Sequence, residues 1–374
     1  MARSSLLVVF LVLGIVLSLR IGAIVKGALG QQLSTDFYNV TCPSVEQMVW
    51  NRMNFHFQQD PSITAHLLRL QFHDCGATGC DASLLLTGPQ SEQLADPNLT
   101  LTGYDIIEDI KAQIETNCTG IVSCADIIAL AARDSVALTG GPNFSVPLGR
   151  FDSLVSGGIN VNLPSPDGAV SDTIKFFETL GLNASDLVIL LGAHTIGVAH
   201  CSSFVNRLYN FQSTGAPDPS IDPTFLVTLQ QTCPQGQNSS SSFMALDDFS
   251  SVLTFDNDWY SRMQSHDGVL TLDQELADSN LTSTLMGQMA LNQSFFFESF
   301  AASMVKMGMI GVKTAANGDI RTNCSVAGTS TSAVFAPAPS PTTGADSPVG
   351  SPQVSIVGAP ADSPALSPSP SSGA

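Results

Sequence analysis

Arg69-Leu70-Gln71-Phe72-His73-Asp74-Cys75-Gly76-Ala77-Thr78-Gly79-Cys80-Asp81-Ala82-Ser83 places a cation, an imidazole, two carboxylates and a short cysteine loop side by side. In a helix entering it over 62–74, Arg69 and His73 stand i,i+4 on one face. Leu67, Leu68, Leu70 and Phe72 hold that turn in a core. An imidazole that accepts a proton beside a guanidinium that stabilises negative charge suits acid–base chemistry. A lone histidine is ordinarily a packing residue, so the rest of the chain must decide.

Further along, Leu187-Val188-Ile189-Leu190-Leu191-Gly192-Ala193-His194-Thr195-Ile196-Gly197 presents a second histidine at a helix end. The glycines beside it remove bulk, so a flat cofactor can approach closely. Apolar spacing predicts helices at 44–59, 62–74, 105–116, 125–138, 169–180, 185–191, 196–209, 222–232, 257–265 and 293–307. Pro43, Ser62 and Ser185 sit at starts, and Gly181 and Gly268 follow ends. Strand signals are confined to short pieces near 144–146 and 269–271. Residues 31–326 therefore read as one mainly helical, all-α unit. Its length, about 295 residues, exceeds the usual size for one core and predicts a single large or two-lobed domain.

The two ends read differently. Residues 1–30 resemble a secretory signal peptide, with Arg3, an apolar run from Leu6 to Leu19 and small residues to Gly30. Arg20 and Lys26 interrupt the run, which favours cleavage over a membrane span. Residues 327–374 carry Ala-Pro, Ser-Pro and Ser/Thr pairs without a Lys or Arg, and are expected to be extended and disordered. Such a tract suits arabinogalactan-type O-glycosylation of its prolines or a plain flexible linker equally. It lacks the hydrophobic run of a GPI signal.

Eight cysteines (Cys42, Cys75, Cys80, Cys118, Cys124, Cys201, Cys233 and Cys324) form an even set in a chain with an export signal, so disulfides are expected. Only Cys75–Cys80, five apart in a glycine-containing loop, can be paired by proximity. No paired CxxC spacing supports zinc. Sequons at Asn39, Asn98, Asn117, Asn143, Asn183, Asn238, Asn280, Asn292 and Asn323 fit a glycoprotein. Removing Arg3, Arg20 and Lys26 with the signal leaves 32 acidic against 11 basic residues, a net of −21. That charge excludes nucleic acids and anionic membranes as partners.

Taken in order, RLQFHDC from Arg69, GCDAS from Gly79, VSCADIIALAARDSV from Val122, GGP…LGR from Gly140, GAHTIG from Gly192, RLYNF from Arg207, FDN from Phe255, LDQEL from Leu272 and MVKMG from Met304 resemble the secretory plant haem peroxidases, class III. The similarity spans residues 32–326. It implies a mainly helical, two-lobed fold with one haem b between distal and proximal halves, and two Ca²⁺ ions. His194 falls on the axial iron ligand, His73 on the distal acid–base and Arg69 on the distal arginine. Asn98 matches the asparagine that orients His73, and Asp273 the carboxylate that accepts the His194 Nδ1 proton. Phe72 packs the distal face. Pro164 borders the exposed haem edge where phenolic donors approach.

The resemblance also implies the calcium ligands. On the distal side these are Asp74, Ala77, Gly79, Asp81 and Ser83, with Glu92 through water. On the proximal side they are Thr195, Asp248, Ser251, Thr254 and Asp256, with Asp248 preferred over Asp247 because its spacing to Asp256 needs no gap. The implied disulfides are Cys42–Cys118, Cys75–Cys80, Cys124–Cys324 and Cys201–Cys233. His56, His66, His200 and His266 match no functional position.

Several positions depart from the family's usual residues. Gly76 and Ala77 stand where an aromatic and an aliphatic residue are common, Thr102 and Phe151 replace arginines, and Leu191 and Leu272 replace serines. None removes an iron ligand or the acid–base pair. The implied activity is a secreted, extracellular peroxidase that reduces hydrogen peroxide and oxidises small phenolic donors by one-electron steps, as in lignin or suberin metabolism. It is expected to be a monomer, with wall association through the tail. A non-catalytic wall glycoprotein is disfavoured because Arg69, His73, Asn98, His194 and Asp273 are all present. A thiol hydrolase using Cys75 is disfavoured because Cys75 has a nearer disulfide partner.

Overall fold

The helix that carries Arg69 and His73 is held from both ends. A computed structural model of the protein describes residues 33–158, 161–236 and 242–327. The expected export signal over 1–30, residues 328–374 of the expected tail and the sequon at Asn238 lie outside the described residues. The first helices are α1 (Val45–Gln59), α2 (Ile63–Ala77), α3 (Tyr104–Glu115) and α4 (Cys124–Leu138). Before α2, the Asp60 carboxylate accepts the Ser62 N–H at 2.9 Å. After it, the Cys75–Cys80 disulfide turns the chain back. The helix runs one turn past the predicted end at Asp74.

α2 packs on α4, which is buried from Cys124 through Val136. Ala125, Ala129, Ala131 and Ala132 make that possible, because small side chains let neighbouring helices approach on every side. Ser123 caps α4 by accepting the Asp126 N–H at 3.1 Å, so its buried start leaves fewer orphan donors.

The second half contributes α5 (Val170–Thr179), α6 (Ala184–Leu191), α7 (Val205–Tyr209), α8 (Pro223–Thr232), α9 (Asp258–Gln264), α10 (Thr271–Asp278), α11 (Ser283–Leu291) and α12 (Gln293–Met307). The mainly helical class holds. α10 and α11 were not foreseen: α10 is only eight residues long, and α11 shows little apolar period. The predicted helix over 196–209 is overturned. Residues 198–200 form β1 (Val198–His200), antiparallel to β2 (Phe243–Ala245), and only Val205–Tyr209 is α-helical. Gly197 causes the break, because its φ of +97° cannot continue a helix. The short ribbons expected near 144–146 and 269–271 do not form strands, and the sheet among the described residues is β1–β2.

The main core joins α1–α6 and α9–α12. A satellite core gathers Cys201, Phe204, Leu208, Leu229, Cys233, Met244 and Val269 beneath β1 and β2. All four implied disulfides are present, and no described cysteine is free. This removes the thiol-hydrolase reading. No described helix is long and apolar enough by itself to cross a membrane.

Candidate active site and two acidic loops

His73 is buried, and its Nδ1 lies 2.7 Å from the Asn98 side-chain oxygen. Because an amide oxygen only accepts, Nδ1 carries the proton and Nε2 is left as the acceptor. The Arg69 Nε–H donates to that Nε2 at 3.1 Å, across the i,i+4 step that the sequence predicts. Burial first, then the Arg69 charge, pulls the His73 pKa down to about 3, so the ring stands neutral. Arg69 is held by backbone oxygens that the sequence did not reveal, Thr100 at 3.4 Å and Pro97 at 3.2 Å. Phe72 packs edge-on to the His73 ring and stacks on Phe177.

His194 sits in a 3-10 turn at Gly192–Thr195, after α6. Tyr260 and Phe296 crowd Gly192, where a Cβ would fall 2.3 Å from the Tyr260 hydroxyl, so this turn tolerates no side chain there. The His194 Nδ1 lies 2.9 and 3.1 Å from the two oxygens of buried Asp273 on α10. Its Nε2 makes no hydrogen bond among the described residues. A half-buried imidazole with one nitrogen held by a carboxylate and the other free fits an iron ligand. A Cβ on Gly197 would lie 2.9 Å from Ala65 of α2, so the His194 turn faces the helix that carries His73.

The loop after α2 collects unsatisfied oxygens. Asp74 Oδ2 accepts the Ala82 N–H at 3.0 Å and Asp81 Oδ1 accepts the Ser83 N–H at 3.0 Å. Asp74 Oδ1, Asp81 Oδ2 and Glu92 Oε2 are buried without a hydrogen-bond partner. Burial, then the neighbouring Asp81 charge, raises the Asp74 pKa well above the carboxylate range. Ser83 and Thr78 hydroxyls lie 3.0 Å apart, and Gly79 O accepts the Asp81 N–H at 2.8 Å. Ala77 ends α2 at the rim of this loop. Orphaned carboxylate oxygens from three residues, with few donors, fit a hard cation such as Ca²⁺. The Lys313 ammonium lies 3.4 Å from Asp81 Oδ2, a partner with no sequence signal. The Glu92 backbone oxygen accepts from the Asn98 amide at 2.8 Å, which ties this loop to His73.

A second acidic loop surrounds Thr195, the residue after His194. Its hydroxyl lies 3.1 Å from Asp256 Oδ1, 3.3 Å from Asp247 Oδ2 and 3.4 Å from the Thr254 carbonyl. One hydroxyl proton cannot serve three acceptors at once, so the cluster also fits a cation. Burial, then the Asp256 charge, pushes the Asp247 pKa up to about 7. The structure does not bring Asp248 into this cluster. Its carboxylate is exposed and accepts from Ser250 N–H and Oγ at 2.8 and 2.7 Å, and Arg262 lies beside it. Asp247 faces Thr195 instead, because β2 and the bond from Leu246 N–H to the Gly197 carbonyl set the direction of the strand leading into the loop. Ser251 bonds the Asp248 carbonyl at 3.1 and 3.5 Å and accepts the Thr254 N–H at 2.6 Å.

Pro164 lies half-buried in the segment between α4 and α5. Of the remaining histidines, His56 bonds Asp109 at 2.7 Å and His266 lies near Asp278, each away from the two central imidazoles. Asn98, although a sequon, is buried with both ends of its amide engaged, so it cannot carry a glycan.

A family model described as Peroxidase matches residues 49–292. Peroxidase 57 of Arabidopsis thaliana is 45% identical over 293 residues, covering 78% of this chain and 92% of its own. The lignin-forming anionic peroxidase of Nicotiana tabacum is 44% identical over 304 residues, covering 80% and 94%. Peroxidase N1 of the same plant is 47% identical over 302 residues, covering 79% and 91%.

Proposed function

Since the chain belongs to the class III secretory plant haem peroxidases, we propose that His73, Arg69, Asn98, His194 and Asp273 are the residues that perform the family's reaction in it. The protein is a secreted, disulfide-bonded glycoprotein enzyme that carries haem b and two calcium ions and uses hydrogen peroxide to oxidise reducing donors. Haem b supplies a redox-active iron that stores two oxidising equivalents.

The chain's own groups handle the protons. Neutral His73 takes one proton of peroxide on Nε2 and returns it to the departing oxygen. Arg69 stabilises the negative charge that develops there. Asn98 keeps the His73 proton on Nδ1, so that Nε2 stays available as the base. Asp273 polarises His194 and orients its free Nε2. Over a cycle, H₂O₂ and two phenols give two waters and two phenoxyl radicals.

The observation that carries this reading is the pairing of two imidazoles with opposite partners, an amide for His73 and a carboxylate for His194. The calcium ions would be held by Asp74, Asp81, Ser83 and the Ala77 and Gly79 carbonyls on one side, with Glu92 acting through water. Thr195, Thr254 and Asp256 hold the other, with Asp247 supplying the carboxylate that Asp248 turns away. Small phenols are the donors, reaching the edge beside Pro164. The protein acts as a monomer in the apoplast and cell wall, with residues 327–374 assisting wall retention. To test this, the full chain is loaded with haem and Ca²⁺ and assayed with guaiacol and peroxide. A strong Soret band with turnover supports it. Bound haem without turnover would show a scaffold instead.

A further inference from the structure

We infer that a polar hollow beside Pro164 is a donor subsite that selects uncharged, hydroxyl-rich phenols, such as phenols carrying a sugar. This rests on the proposed function and names its substrate class. The hollow, about 230 Å³, lies between the turn at 165–167 and the segment at 202–206, with Thr271 at its base. Its polar lining is Ser165, Asp167, Ser202, Ser203, Asn206 and Thr271, beside Pro166, Phe204 and Arg207.

Both walls are fixed. The Leu272 N–H donates to the Pro166 carbonyl at 2.9 Å, and Gly168 N–H to the Ser165 carbonyl at 3.0 Å. The Cys201–Cys233 disulfide anchors the opposite segment. The hollow also adjoins the His194 side, because Thr271 begins the helix that carries Asp273.

Its chemistry is specific. The side chains of Ser202, Ser203, Asn206 and Thr271 make no hydrogen bond among the described residues, so their donors and acceptors are available. Arg207 lines the floor, but its charge is spent. Its Nε–H donates to Asp218 at 2.6 Å, and its other nitrogens bond Ser220 and the Gly268 carbonyl. No cation lining this hollow is left to receive an anionic donor, and exposed Asp167 on a strongly acidic protein repels one. Free hydroxyls and an amide without a free cation match a polyol. A second hollow of about 360 Å³ has a mixed lining that includes Asn162 of the same segment, Lys175, Phe176 and Leu180.

Three para-alkoxyphenols test the inference: 4-methoxyphenol, its glucosyl counterpart arbutin, and anionic 4-hydroxyphenoxyacetate. Their rings are electronically alike, so differences in kcat/KM report the substituent. The haem- and calcium-loaded full chain should favour arbutin over both others. In Ser203→Phe the arbutin to 4-methoxyphenol ratio should fall about tenfold, the value of one to two net hydrogen bonds. Ser203→Thr, which keeps the hydroxyl, should restore it. Asp167→Asn should improve the anionic donor severalfold relative to arbutin.

Calorimetry without peroxide should show arbutin binding to the resting protein, weakened in Ser203→Phe. Turnover with an unchanged ratio, or arbutin binding indifferent to Ser203→Phe, would overturn the subsite. Absence of peroxide-dependent oxidation of all three phenols, with arbutin still bound, would instead overturn the proposed function.

Discussion

Around His73 the chain supplies a neutral amide, deep burial and a nearby guanidinium. Around His194 it supplies a carboxylate and leaves the ring half-exposed. The side chain is the same, but the settings push it in opposite directions. An amide acceptor fixes which nitrogen holds the proton without adding negative charge, so His73 remains a neutral base. A carboxylate draws the proton of His194 toward itself and makes the far nitrogen a stronger electron donor. The contrast extends to the loops beside each ring. The loop after His73 buries three orphaned carboxylate oxygens, whereas the one after His194 buries a single orphan on Asp247.

The largest expected effect breaks the comparison at its centre. His73→Ala should slow the reaction with peroxide by about a thousandfold, followed by stopped-flow spectroscopy while haem stays bound. A loss of only a few-fold would end its assignment as the base. Next come the partners, each expected to matter by about ten- to a hundredfold. Asn98→Leu should slow the peroxide reaction without moving the ferric/ferrous potential, and Asp273→Asn should raise that potential. Equal shifts of potential in the two variants would erase the distinction drawn between the rings.

The loops give smaller effects. Calcium bound at about a hundred times its Kd contributes about 2.7 kcal/mol, or several degrees in melting temperature for a domain of this size. Asp81→Asn should lose more of that calcium-dependent melting shift than Asp256→Asn, because the loop of Asp81 leaves more charge unpaired without a cation. Within the Thr195 loop, Asp247→Asn should abolish calcium stabilisation. Asp248→Asn should change stability by less than about 0.5 kcal/mol, as exposed substitutions do. The reverse order would return the ligand role to Asp248. The smallest effect is that of Lys313→Met, which removes a competing ammonium from Asp81. It should tighten calcium binding by up to about fivefold by titration calorimetry, since partly exposed pairs contribute about 0.2–1 kcal/mol.

Much of this site was legible because its parts are local. Arg69 and His73 are four residues apart on one helix, so the helical period alone brings them together. Asn98 and Asp273 were found through ordered motifs, not through any local pattern, since their partners lie 25 and 79 residues away. Nothing in the sequence announces Lys313 or the Thr100 and Pro97 carbonyls, because a backbone oxygen has no residue type and a lysine reads as surface charge. The helix predicted across 196–209 failed for a similar reason. Its apolar spacing is real, but Gly197 turns the chain and β2 captures it 45 residues later in sequence.

The amino-acid order by itself determined what nearest neighbours can enforce: the helical class, the i,i+4 base and guanidinium, the Cys75–Cys80 loop, and the acidic, exported character of the chain. Folding decided which of two adjacent aspartates turns inward at Thr195, and which hydroxyls beside Pro164 stay uncommitted. In an irregular segment the direction of a side chain depends on strands, disulfides and hydrogen bonds arriving from distant positions, and no local period encodes those.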